Sequence, residues 1–71
     1  MLVVINKIKY ILKAQGRSQV WLAKAIDKSV NTVNSYVQNR TQPSLEVLYK
    51  IAEVLDVNPK DLLIDKNESH A

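Results

Sequence analysis

At 71 residues the chain has room for one domain, and without cysteine that domain has no disulfides or thiolate metal sites to supplement its core. Its 46% of hydrophobic residues must pack efficiently, because a chain of this size hides only about 60% of the surface its unfolded form exposes. The net charge of +3 is unevenly spread: residues 1–43 set seven basic side chains against Asp27 alone, and residues 44–71 set three against six acids, so the first stretch suits a polyanion and the second does not.

The chain opens on an apolar run, Met1 to Ile5, that Asn6, Lys7 and Lys9 interrupt. It is too short for a secretion signal and far short of the ~20 residues that span a bilayer. A soluble, cytoplasmic protein with no membrane contact is expected. From Val4 to Gln15 the residues Val4, Ile5, Ile8, Ile11 and Leu12 recur at helical spacing and predict a first helix. Gly16, the single glycine, stands where that helix would end in a left-handed residue.

Ser18 is placed to cap a second helix, Gln19 to Ile26, with Leu22, Ala23 and Ile26 on one face. Asp27 and Lys28 then leave only a brief turn before Ser29 offers another cap. In the third helix Val30, Val33 and Val37 repeat with Tyr36 beside them, while the opposite side carries Asn31, Thr32, Asn34 and Ser35. Those four are poor helix formers, because their side chains compete for backbone hydrogen bonds. A helix built only for stability would carry Glu, Lys, Gln or Ala there.

The polar stretch Gln38 to Pro43 forms a loop, and Ser44 caps a fourth helix on the stripe Leu45, Leu48, Ile51, Ala52 and Leu55. Asn58, Pro59 and Asp61 read as cap, first turn and capping-box acid of a fifth helix, with Val57 and Leu62 as its staple. Residues 1–64 are expected to form the domain and 65–71 a flexible tail. With no strand alternation or repeat, the fold class is all-α.

Two short helices across so brief a turn must cross steeply, which needs a small residue at the contact, and Ala23 is one. This is the helix-turn-helix arrangement, whose second helix enters a major groove. The side-chain chemistry agrees. Asn pairs bidentately with the N6/N7 edge of adenine, Ser and Thr serve either base pair, and Val30 and the Thr32 methyl can meet a thymine methyl. No arginine lies on this face, so an A/T-leaning target is expected. Arg17, Arg40 and Lys28 are candidate phosphate contacts, with Ser29 at the same helix start and the Tyr36 hydroxyl as a further donor. Trp21, beside the second helix's stripe, is expected to be partly buried, and Tyr10 and Tyr49 to sit in the core or an interface. No cofactor or metal site is expected, since the single histidine, His70, has no companions. Enzymatic catalysis is not expected either: a lone glycine builds no phosphate-cradling loop.

The run SQVWLAKAIDKSVNTVNSYVQNRTQPSLEVLYKIAEVLDVNPKDLL resembles the lambda-repressor-like, or Cro-like (XRE), helix-turn-helix family, over about Ile5 to Leu63. The resemblance implies a five-helix lambda-repressor-like domain in a DNA-binding regulator, a repressor or autoregulator, commonly acting as a homodimer on a palindromic operator. Carried over by position, Gln19 contacts a phosphate, and Val30, Asn31, Asn34 and Ser35 occupy base-reading positions. Arg40 and the backbone of Asn39 hold the opposite edge of the groove. Asp27 stands where the family usually has glycine, and Lys28 where it usually has an apolar residue. Recognition helices of such a dimer would lie about 34 Å apart, with Val57, Leu62, Leu63 and Ile64 as interface candidates. The alternative is a helical protein-interaction module, such as the antitoxin component of a toxin–antitoxin pair, with a protein partner.

Overall fold

A computed structural model describes residues 5–64; the expected tail, 65–71, lies outside them. The order is a short strand β1 (Ile5–Asn6), helices α1 (Ile8–Gln15), α2 (Gln19–Ala25), α3 (Val30–Val37) and α4 (Leu45–Leu55), a 3₁₀ turn (Pro59–Leu62) and a short strand β2 (Leu63–Ile64). The fold is an all-α helix-turn-helix unit, to which two-residue strands add an antiparallel clasp pairing Ile5 with Ile64 and Asn6 with Leu63.

Local chemistry sets the helix boundaries. Gly16, at φ 66° and ψ 28°, lets the Arg17 N–H reach back to the Leu12 carbonyl at 2.9 Å and its own N–H to Lys13 at 3.2 Å, closing α1 with a left-handed residue that costs glycine nothing. Ser18, Ser29 and Ser44 each accept a hydrogen bond from the backbone N–H three residues on, at 2.9, 3.1 and 3.2 Å. Each cap is worth about 1 kcal/mol over alanine. In the tight turn Asp27 adopts φ 57°, the left-handed conformation that glycine would take more easily.

Both ends of the described chain depart from expectation. The first helix begins at Ile8, after Ile5 and Asn6 are drawn into the clasp; Val4, where the helical spacing starts, lies outside the described residues. In place of a fifth α-helix there is one 3₁₀ turn. The Asp61 carboxylate accepts from the Asn58 N–H at 3.3 Å as expected, but Leu63 is already extended at φ −116° and ψ 142°. The Leu62 carbonyl then accepts from the Lys7 N–H at 2.7 Å. Backbone pairing with β1 thus satisfies groups that a longer helix would have satisfied internally.

The core gathers Ile8 and Leu12 from α1, Leu22, Ala23 and Ile26 from and just after α2, and Val33, Tyr36 and Val37 from α3. Leu48, Ile51, Ala52 and Leu55 of α4 and Leu62 complete it. Ala23 is buried in that core. Of the residues expected at a subunit interface, Leu62 is fully buried and holds the protomer together, while Val57 and Leu63 are half-buried against the same core. Tyr10, Leu45 and Tyr49 are large hydrophobic side chains left exposed on α1 and α4. No helix among the described residues is long and apolar enough to cross a membrane.

Candidate nucleic-acid interface

Helix α3 is held by one side. Val33, Tyr36 and Val37 are buried, which turns the opposite side outward. There Asn31 is exposed, Val30 keeps 42% of its surface, and Thr32 and Ser35 are half-buried. The two hydroxyls at the helix start are linked, Ser29 Oγ lying 2.9 Å from Thr32 Oγ1. Their orientation is therefore set before any ligand arrives, and the Asn31 amide beside them makes no hydrogen bond among the described residues.

Asn34 is different. Its Nδ2 donates to Gln19 Oε1 at 3.1 Å, and its Oδ1 accepts from the Arg40 guanidinium at 2.9 Å. Each end of the amide thus has one partner within the fold, and Nδ2 keeps a second hydrogen and Oδ1 a second lone pair. Asn34 joins the start of α2 to Arg40 in the turn after α3. Gln19, its oxygen engaged, keeps its two Nε2 donor hydrogens for an acceptor, and Arg40 keeps the rest of its five donors.

Tyr36 is only 8% exposed and anchors α3 in the core, while its hydroxyl has no hydrogen-bond partner among the described residues and is not sealed from solvent. The Asn39 N–H, expected at the edge of the groove, donates to the Tyr36 carbonyl at 3.0 Å. The Asn39 side chain turns inward as well. Its Oδ1 accepts from the Asn6 N–H at 2.8 Å and from Gln42 Nε2 at 3.1 Å, helped by a left-handed backbone at φ 59°.

Asn6 itself is the hub that sequence reasoning missed. Though 4% exposed, it is fully used: Nδ2 donates to the Tyr36 carbonyl at 2.7 Å and to Gln42 Oε1 at 2.9 Å, and Oδ1 accepts from the Ile8 N–H at 3.1 Å. It starts α1 and fixes the turn that carries Arg40. The visible signal was an amide set within an otherwise apolar run just before a helix.

Charge surrounds the exposed edge. Arg17, Lys28 and Arg40 are exposed. The Arg17 guanidinium stacks 4.3 Å from the centre of the half-buried Trp21 ring, an arrangement that steadies the cation while leaving its N–H edges outward. Among the described residues no group of three or more His, Cys, Asp or Glu side chains could hold a metal ion.

The helix-turn-helix family model matches residues 8–62. No curated protein matches significantly. Among solved structures, a crystal structure of a candidate DNA-binding protein from Bacteroides fragilis is similar, with 41% identity and a TM-score of 0.84 over 86% of this chain and 98% of that one.

Proposed function

Because the chain belongs to the XRE-type helix-turn-helix family, we propose that it is a sequence-specific regulator of transcription, a repressor or autoregulator without enzymatic activity, that binds double-stranded DNA in the cytoplasm through α3. The observation that carries this reading is the unencumbered outer edge of α3: Asn31 exposed, Val30, Thr32 and Ser35 beside it, and the opposite side held in the core. Such an edge can lie in a major groove without unfolding anything.

In this reading Asn31 takes an adenine through its amide, Val30 and the Thr32 methyl meet thymine methyls, and Ser35 serves either base pair. Gln19, Arg17, Lys28, Ser29 and Arg40 hold phosphates, and Asn34 keeps Gln19 and Arg40 in register. One helix of eight residues reads few bases, so a homodimer on a palindromic operator, reading sites about one helical turn apart, completes the site. The exposed Leu45 and Tyr49 of α4 make that helix the better interface candidate than the buried Leu62.

Selection of DNA from a random pool, followed by binding of Asn31→Ala, tests the proposal. The expected loss is roughly 1–3 kcal/mol on the selected site with relaxed preference at one position. Equal loss on selected and random duplexes would remove Asn31 from base reading.

A further inference from the structure

A hollow of about 320 Å³ lies between Lys9 and Lys13 of α1, Arg17, Ser18 and Gln19 at the start of α2, and Val37 at the end of α3. We propose that its cations form a second phosphate track, so that α1 as well as the helix-turn-helix grips the backbone of duplex DNA. The inference rests on the DNA-binding reading and extends it to Lys9 and Lys13, which that reading does not use.

Three observations carry it. First, Lys9 and Lys13 are both exposed and four residues apart, about 6 Å along one face of a helix. Like charges so placed repel each other, and among the described residues no carboxylate lines the hollow. Neither lysine has an ion-pair partner among those residues. An arrangement of uncompensated cations is stabilised by an incoming polyanion, which releases its own counterions on binding.

Second, the third cation is held in place. Arg17 stacks on Trp21, so its guanidinium reaches the hollow with less freedom to lose than a lysine has. Third, the hollow is continuous with the proposed reading site. Gln19 lines it and is tied through Asn34 to Arg40. One polar line thus runs from Lys9 through Lys13, Arg17 and Gln19 to the far end of α3. A phosphodiester strand is the anion whose repeated charges match such a line.

The double variant Lys9→Gln/Lys13→Gln tests this, titrated against the selected duplex and a scrambled duplex of equal length over a range of salt. Each lost phosphate contact should flatten log K against log salt by about 0.9, so the slope should become shallower by nearly two on both duplexes with base preference unchanged. The charge-conserving pair Lys9→Arg/Lys13→Arg should keep the original slope. If the neutralised variant keeps its slope while Arg40→Ala flattens it by about one, the track is wrong and the reading of α3 stands. A changed base preference would also overturn the track, by making the lysines readers. If the unaltered protein binds neither duplex, both proposals fall together.

Discussion

Removing the side chain of Asn6 should destabilise this domain more than any surface change at the proposed interface. Asn6→Ala removes three hydrogen bonds, to the Tyr36 carbonyl, to Gln42 and from the Ile8 N–H. The losses are unequal. The Tyr36 carbonyl keeps the Asn39 N–H at 3.0 Å, and Gln42 is exposed and can turn to water. The Ile8 N–H, on a residue with no exposed surface, has neither recourse. One stranded buried donor costs about 1–3 kcal/mol and two weakened bonds about 0.5–1.5 each, so a loss of roughly 3 kcal/mol is expected. For a domain of this size that lowers Tm by about 12–24 °C, readable by circular dichroism or urea titration. Asn6→Asp sharpens the test. It sets an oxygen where Nδ2 now meets the Tyr36 carbonyl, which disfavours the ionised form and raises the folded pKa above the unfolded value of about 3.9. The folded state then holds the proton more tightly, so the deficit should be greatest at neutral pH and shrink on acidification through the folded pKa. A Tm within 4 °C of the parent for Asn6→Ala, or an Asn6→Asp deficit as large at pH 4 as at pH 7, would refute the hub.

Three other substitutions probe separate points. Asp56 ends α4 in a left-handed conformation at φ 57° and ψ 47°, with its charge at the negative end of the helix. Asp56→Asn should therefore stabilise by about 0.3–1 kcal/mol, seen as a Tm rise of a few degrees that high salt erases. Asn34→Ala should cost roughly 1 kcal/mol of stability and weaken all duplexes while leaving the salt slope intact, since every cation remains while Arg40 and the neutral Gln19 lose their guide; a flattened slope in direct titration would contradict this. Trp21→Leu releases Arg17 from a stacking contact worth about 0.5–1 kcal/mol. Affinity for selected and scrambled duplexes should fall in parallel, and a loss confined to the selected site would assign Arg17 to base reading.

What the sequence revealed was mostly local. Gly16, Ser18, Ser29 and Ser44 act on backbone groups within four residues, so their roles follow from residue type and position. The same holds for α3, whose exposed edge appeared as a break in the usual choice of helix formers. What stayed hidden depends on distant partners. Asn6 meets residues 30 to 36 positions away, and nothing in its neighbourhood names them. Whether the Asn34 amide is free depends on Gln19 and Arg40, which lie on other segments of the chain. The three tyrosines look alike in composition, yet Tyr36 is buried while Tyr10 and Tyr49 are 73% and 57% exposed. The fifth helix gave way to a 3₁₀ turn because β1, at the other end, competes for its backbone.

That competition has a kinetic side. Helices α2 and α3 and their turn involve neighbours in the chain and can condense early, whereas Ile5 must find Ile64 across almost the whole polypeptide. The entropy of closing so long a loop is recovered only after the intervening helices have shortened it. The clasp should then be absent from the folding transition state. Weakening it would accelerate unfolding and leave the refolding rate nearly unchanged, so the time for which Arg40 stays correctly presented would be governed by how slowly this small ribbon opens.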